Sequence, residues 1–189
     1  MPYIRNYILC LLSIILAINV SLGQQNISSI NIKDLEGNIF HMAGLHNQVS
    51  VFTFLSPECP ISQQVTLELR TLTERFKDKH ISFYGVIPGN DYNRDSILKF
   101  QHRYKINFMV LLDKDLKLKK ALNASVTPEV FVLDGKFAIR YSGAIDDTYI
   151  ELGKKQRTRH YYLKDALECL IAHHTLNIKH TQAVGCFIE

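Results

Sequence analysis

The chain has 189 residues, of which 47% are hydrophobic and 21% are charged, and its formal net charge is +4. This length and composition fit one globular domain with a sizeable core. The small excess of Lys and Arg is scattered and forms no basic stripe, which argues against a nucleic-acid-binding protein.

The first 23 residues are predicted to be a secretory signal peptide and not part of the fold. A short segment with Arg5 precedes a continuous apolar run, Ile8–Val20, and the small residues Ser21 and Gly23 follow. The run is short for a membrane span, so cleavage is favoured over an uncleaved anchor. We therefore expect cleavage before Gln24, export, and a mature domain at 24–189 with no membrane span.

Hydrophobic periodicity predicts strands and helices that alternate along the mature chain. The predicted elements are a hairpin (30–33 and 39–41), a strand (49–55), a helix (about 60–79), a strand (80–88), a helix capped by Asp91 or Asn93, a strand (108–112), a helix (115–122), a strand (126–133), its hairpin partner (137–141) and a last helix (about 158–174). Residues 143–156 are predicted to form an irregular loop, and the tail from 176 onward shows no period. This order indicates an α/β fold with a mixed central sheet and helices on both faces.

One cysteine lies where a core strand is predicted to give way to a long helix. Pro57 ends the strand, Cys59 follows, and Pro60 fits the first helical turn, where a missing N–H costs nothing. A helix N-terminus carries partial positive charge and free N–H groups, which favour a thiolate over a thiol. A reactive thiol at Cys59 is therefore predicted, with a buried structural cysteine as the alternative.

The remaining cysteines bear on redox chemistry. Cys59, Cys169 and Cys186 follow the signal peptide, and an exported chain enters a compartment where disulfides persist. Three cysteines allow one internal pair and leave one thiol over. Cys186 lies on a tail that we expect to be mobile, so it is either a thiol that reaches Cys59 or a free terminal cysteine. Cys169 lies beside the apolar face of the last helix and is interpreted as a packing residue.

Three stretches carry a resemblance to a known family. They are Phe54-Leu55-Ser56-Pro57-Glu58-Cys59-Pro60-Ile61-Ser62, then Val126-Thr127-Pro128-Glu129-Val130-Phe131-Val132-Leu133-Asp134, and then Tyr141-Ser142-Gly143-Ala144-Ile145-Asp146-Asp147, Arg157-Thr158-Arg159-His160 and Leu163-Lys164-Asp165-Ala166-Leu167, with Gly185-Cys186 near the end. Together they resemble the thioredoxin-like superfamily, in the exported bacterial redoxin group of alkyl hydroperoxide reductase and thiol-specific antioxidant type. The resemblance implies a thioredoxin-like fold, oxidoreductase or antioxidant activity, and a location in the bacterial envelope, periplasmic or secreted.

The resemblance also implies roles for individual residues. The Thr127–Pro128 bond is expected to be cis and to lie against Cys59, whereas the residues alone suggest an edge-strand proline. The Thr127 backbone is expected to pair with an extended substrate strand. Ser62 stands where the family's Cys-x-x-Cys motif has its second cysteine, and it is expected to hydrogen-bond the Cys59 thiolate. Cys186 is then the candidate resolving thiol.

Three functional hypotheses follow, and all use the same site. The first is a thiol-dependent oxidoreductase with Cys59 as nucleophile and a thiol or disulfide protein partner, such as a reductase or a c-type cytochrome. The second is a peroxidase in which Ser56 orients peroxide, although the arginine that peroxiredoxins carry near Pro128 is missing. The third is a protein that binds copper or a redox partner without catalysis.

The other candidate residues carry weaker signals. The histidines His160, His173, His174 and His180 have no recurring ligand spacing and are interpreted as solvated, so no metal or cofactor is predicted. Asp146 and Asp147 are interpreted as turn residues or as ion-pair partners of Arg157 and Arg159 in preference to paired catalytic carboxylates, and the resemblance implies that a role at the edge of the site stays open.

Overall fold

The computed structural model describes residues 26–189, so the predicted signal peptide lies outside the described residues. The strands are β1 (Asn31–Asp34), β2 (Ile39–His41), β3 (Val49–Phe54), β4 (Ile81–Pro88), β5 (Met109–Asp113), β6 (Val126–Thr127), β7 (Glu129–Leu133), β8 (Ile139–Gly143), β9 (Tyr149–Glu151), β10 (Lys154–Lys155) and β11 (Cys186–Phe187). The α-helices are α1 (Pro60–Phe76), α2 (Arg94–Arg103), α3 (Lys117–Leu122) and α4 (Tyr162–Ile171), and 3-10 turns cover Ile27–Ser29 and Met42–Leu45.

Seven strands form one mixed sheet in the order β2-β1-β5-β4-β3-β7-β8. β3 pairs in parallel with β4, and β4 with β5, because a helix connects each pair. β7 runs antiparallel to both β3 and β8, and a turn at Asp134-Gly135 joins β7 to β8, as in the predicted hairpin. The prediction of a mixed sheet, parallel in its centre with antiparallel additions, is confirmed.

Apolar side chains of the central strands alternate between two cores, one on each face of the sheet. Along β3, Val51 packs into the core that holds α1, α2 and α4, whereas Phe52 and Phe54 pack into the core that holds α3. All three side chains are fully buried. Burial on both faces explains why β3 has a continuous apolar run in place of an alternating pattern. The buried sheet therefore fixes the position of the turn that follows the end of β3.

Three element predictions need correction. The strand expected at 126–133 is two strands, because Pro128 separates β6 from β7 and the Thr127–Pro128 bond is cis. Pro128 lies between these two strands and in neither of them, so it is not an edge-strand proline. The helix expected at 158–174 covers only Tyr162–Ile171. The loop expected at 143–156 contains the small hairpin of β9 and β10.

The C-terminal tail also differs from the prediction. Its residues 179–181 lie along the free edge of β8, where the Ser142 N–H donates to the Lys179 carbonyl (3.0 Å) and the Thr181 N–H donates to the Ser142 carbonyl (3.0 Å). Cys186 and Phe187 then form β11, which pairs antiparallel with β6. Periodicity could not predict this structure, since each paired segment is only two or three residues long. The tail is therefore held at two separate edges of the fold.

Among residues 26–189, every helix is too short or too polar to cross a bilayer.

Candidate functional site

The junction between β3 and α1 positions Cys59. β3 ends at Phe54, the Cys59 N–H donates to the Ser56 carbonyl in a tight turn (3.2 Å), and Cys59 is the N-cap residue of α1. Pro60 occupies the first turn of the helix, as predicted. The side chain is almost fully buried, with 1% of its surface exposed. A buried strand and a helix start therefore fix the sulfur on both sides.

Two groups contact the Cys59 sulfur directly. Its Sγ donates a hydrogen bond to the Thr127 carbonyl oxygen at 3.0 Å. The Cys186 Sγ lies 2.7 Å from it, on the donor side of the contact, and no disulfide bond joins the two sulfurs. A disulfide needs the sulfurs about 2.05 Å apart, so only a small movement separates these thiols from a bond. The structure thus brings together the two cysteines that the sequence left as an open pair.

The pKa values of the two thiols are shifted in opposite directions. Burial acts to raise the pKa of the Cys59 thiol, but hydrogen-bonding groups of Cys186 and Ser62 outweigh it and leave the pKa below its ordinary value. Burial and the proximity of Cys59 raise the pKa of the Cys186 thiol to about 11. When one proton leaves this pair it therefore leaves Cys59, which makes Cys59 the better nucleophile.

Ser62 occupies the position of the missing second cysteine, one turn into α1. It is fully buried, and its hydroxyl accepts a hydrogen bond from the Ser56 N–H at 3.2 Å. Its backbone and side chain both lower the pKa of Cys59. Ser62 thus links the turn before Cys59 to the helix after it and acts on the sulfur electrostatically.

A buried carboxylate that sequence reasoning missed braces the loop beside the sulfur. Glu129 follows Pro128 and is 7% exposed, and its Oε2 accepts hydrogen bonds from the Ser125 N–H (2.8 Å) and the Val126 N–H (3.4 Å). These bonds hold the backbone on one side of Thr127, whose carbonyl faces Cys59. A charged residue in an otherwise apolar strand was the signal in the sequence.

Two tail residues allow Cys186 to reach the site: Thr181, which the sequence argument missed, and Gly185, which the resemblance included without assigning it a role. A Cβ atom on Gly185 would lie 2.2 Å from the Thr127 carbonyl oxygen, so only glycine permits this approach. The Thr181 hydroxyl bonds to the Tyr141 hydroxyl at 2.6 Å and accepts from the Ala144 N–H at 3.0 Å. Thr181 therefore anchors the tail upstream, and Gly185 lets it lie flat against the loop.

Ser56, the residue assigned to peroxide in the second hypothesis, has another partner. Its hydroxyl shares a 2.8 Å hydrogen bond with the Tyr92 hydroxyl. This bond lies in the turn before α1, while the sulfur of Cys59 makes its contacts with Thr127 and Cys186.

The two aspartates make their hydrogen bonds within the loop after β8, and Asp146 also lines a small cavity with Pro128 and Ile61 beside the thiols. Asp147 accepts hydrogen bonds from the Arg159 N–H (2.8 Å) and the His160 N–H (3.1 Å), which lower the pKa of its carboxyl, and Asp146 accepts from the Thr148 N–H (2.8 Å). Both aspartates are thus turn residues. Within residues 26–189, no three His, Cys, Asp or Glu side chains are grouped closely enough to hold a metal ion.

Comparison with known protein families assigns the chain to a family. The model of the AhpC/TSA family matches residues 24–145, which include β1 to β8 and the whole Cys59 turn. The chain belongs to this family. The match ends before α4 and the tail, so Cys186 lies beyond the matched part of this family member. No curated protein matched the chain.

Solved structures agree on the fold. A hypothetical protein of Sinorhizobium meliloti 1021 is 18% identical, with 87% of this chain and 92% of that chain covered and a TM-score of 0.76. An uncharacterized conserved protein of Geobacillus kaustophilus is 19% identical, with coverages of 89% and 93% and a TM-score of 0.74. A secreted disulfide oxidoreductase of Mycobacterium tuberculosis is 18% identical, with coverages of 77% and 96% and a TM-score of 0.57. The predicted thioredoxin-like redoxin fold is confirmed.

Proposed function

We propose that this AhpC/TSA family member is an exported thiol-dependent oxidoreductase in which Cys59 is the nucleophile and Cys186 is the resolving thiol. The observation that carries the proposal is the 2.7 Å approach of the two sulfurs, with Cys59 the more acidic. Export is supported by the apolar N-terminal run of the sequence and by the secreted M. tuberculosis enzyme of the same fold.

The reaction is a pair of thiol–disulfide exchanges. The Cys59 thiolate attacks one sulfur of a partner disulfide, forms a mixed disulfide and releases the other sulfur as a thiolate. That departing thiolate takes up the Cys186 proton. Cys186 then attacks the Cys59 sulfur and releases the partner's second thiol. The partner gains two electrons, and the chain ends with a Cys59–Cys186 disulfide, which a reducing partner reopens by the reverse steps.

Ser62, Thr127 and Pro128 support this chemistry without changing their covalent state. Ser62 stabilises the Cys59 thiolate, and its hydroxyl cannot close a disulfide locally, which leaves that step to Cys186. Thr127 presents its backbone along β6 as an edge for an extended strand. Pro128 holds that edge next to the sulfur.

Two single substitutions test the proposal on the mature chain. Cys59→Ser should abolish exchange with a dithiol or disulfide substrate, because it removes the nucleophile. Cys186→Ser should stop turnover after the first exchange and leave a persistent mixed disulfide on Cys59, visible by mass spectrometry. Cys169→Ser is the matched control and should exchange at the parent rate. Undiminished turnover in Cys59→Ser would refute the proposal.

Family membership also favours a second candidate, a peroxidase that uses the same cysteine. Peroxide would oxidise the Cys59 thiolate to a sulfenic acid and release water, and Cys186 would then form the disulfide with loss of a second water. The Ser56 hydroxyl already shares a hydrogen bond with Tyr92, and the arginine that peroxiredoxins carry near Pro128 is missing from this sequence, and the second of these favours exchange over peroxide reduction. Peroxide consumption by the parent chain no faster than by a free thiol would remove this candidate.

A further inference from the structure

The tail occupies the edge that the proposed function assigns to a substrate. β11 pairs antiparallel with β6, with Cys186 opposite Thr127 and Phe187 opposite Val126. The Ile188 N–H donates to the Ser125 carbonyl at 3.0 Å and extends the pairing by one residue. An extended strand that delivers a cysteine to Cys59 is thus already present, as part of the same chain.

The surface along β6 that β11 occupies is called the seat below. It restricts the side chain differently at each position of the tail. At the residue before the cysteine, Gly185, a side-chain carbon would lie 2.2 Å from the Thr127 carbonyl oxygen and 2.6 Å from its carbon. The backbone of Gly185 does not adopt a positive φ, so space, and not conformation, excludes every other residue. The cavity wall there is backbone, which cannot rotate away as a flexible side chain would.

The neighbouring positions are more permissive. Val184 packs against the core and lines a small cavity with Pro128 and Ile61. Phe187, directly after the cysteine, is 82% exposed. Ile188 packs partly into the opposite core. The seat therefore accepts an apolar residue, then glycine, then cysteine, then any residue.

We propose that the β6 edge docks an extended segment of a protein partner with glycine directly before the reacting cysteine, and that the tail competes for the same edge. This inference rests on the proposed function and names the substrate class of that site. The same carbonyl that excludes a Cβ from the tail excludes one from any strand in that register. A strand from a partner can pair with β6 only when β11 leaves it.

Synthetic peptides test the glycine requirement. The probe is the hexapeptide Ala-Val-Gly-Cys-Phe-Ile, whose cysteine carries thionitrobenzoate in a mixed disulfide. The Cys59 thiolate attacks the peptide sulfur, binds the peptide as a disulfide and expels the coloured thionitrobenzoate anion, so atoms and electrons balance. The mass of the adduct identifies which sulfur was attacked. Peptides with Gly→Ala and with Phe→Ser, each a single change, complete the set.

Full-length variants set the state of the tail. Cys186→Ser removes the competing thiol and keeps the tail seated. Gly185→Ala in the same background forces β11 off the edge through the clash with Thr127. The rate with 2-hydroxyethyl disulfide, which needs no strand pairing, reports the reactivity and exposure of the Cys59 sulfur in each variant and is the divisor for each peptide rate, so that only the gain from strand pairing remains. Thr181→Val with Cys186→Ser loosens the tail by a second route if Gly185→Ala folds poorly.

The expected peptide rates follow from whether the backbone of β6 is free and from the lack of space for a side chain before the cysteine. In the tail-released variants the parent peptide should react at least about tenfold faster, relative to the small disulfide, than in Cys186→Ser, because the backbone pairs of β6 are free. The Gly→Ala peptide should lose at least about tenfold, and the Phe→Ser peptide should change by no more than about twofold, as for an exposed position. Equal rates for the glycine and alanine peptides, or no gain on tail release, would overturn the inference. No reaction of Cys59 with any disulfide would instead refute the proposed function.

Discussion

At the scale of single residues, the acidity of Cys59 depends on a second thiol. As a thiol, Cys59 donates to the Thr127 carbonyl. As a thiolate it has no proton to donate there, and the Cys186 thiol is then the donor that faces it. A buried thiolate without donors is strongly disfavoured. The partner that later resolves the disulfide is therefore also a group that helps to ionise the nucleophile.

The pH dependence of alkylation tests this coupling. In the reduced parent chain, the rate of Cys59 modification by iodoacetamide should reach half its maximum at a lower pH than for an unperturbed cysteine thiol, because the pKa of Cys59 is lowered. Cys186→Ala should move the midpoint to higher pH, since the thiol donor is lost. Cys169→Ala is the control and should leave the midpoint in place. An unchanged midpoint in Cys186→Ala would show that Cys186 does not stabilise the thiolate.

At the scale of elements, the sequence predicts those helices and strands whose formation depends on residues close by in the chain. The β3–α1 junction follows from an apolar run, two prolines and a helical period, and the structure agrees within a few residues. The position of β11 obeys no local rule, because two residues carry no period and its partner β6 lies 59 residues away. Gly185-Cys186 carried the only local hint, and its meaning depends on the Thr127 carbonyl that it meets.

The anchor of the tail on β8 can be tested apart from the thiols. Thr181→Val keeps the shape of the side chain but leaves the Ala144 N–H without its acceptor. We expect a loss of about 1–3 kcal/mol in the free energy of unfolding, measured by urea titration under reducing conditions. Formation of the Cys59–Cys186 disulfide after reductant removal should also slow, because the loosened tail presents Cys186 to Cys59 less often.

An exposed threonine provides the matched control for this substitution. Thr71 lies on α1, and its hydroxyl donates only to the Leu67 carbonyl of the same helix. Thr71→Val should change stability by no more than about 0.5 kcal/mol and leave the closure rate unaltered. If Thr181→Val closes its disulfide as fast as Thr71→Val, the contact with β8 does not position the tail.

At the scale of the whole molecule, the two thiols join distant parts of the chain. Cys59 and Cys186 are separated by 127 positions, so their disulfide would enclose all of the helices and most of the sheet. Closing so large a loop removes much of the conformational entropy of the unfolded chain. Folding and disulfide formation are thermodynamically linked. The free energy by which the disulfide stabilises the folded state therefore equals the free energy by which folding stabilises the disulfide. A fold that seats Cys186 beside Cys59 therefore resists reduction.

This reciprocity predicts that redox state sets stability. The chain-entropy relation gives an upper value of about 5 kcal/mol for a loop of this length, so the oxidised parent should unfold at a clearly higher urea concentration than the same protein with reductant. Cys186→Ser cannot close the loop, and its urea midpoint should be the same with and without reductant, which controls for any direct effect of the reductant. Coincident midpoints for the oxidised and reduced parent, with the Cys59–Cys186 bond verified by mass spectrometry, would mean that the unfolded chain already holds the tail near Cys59. The seat on β6 would then contribute nothing to the disulfide, and resolution would depend on chance encounter instead of on Gly185 and Thr181.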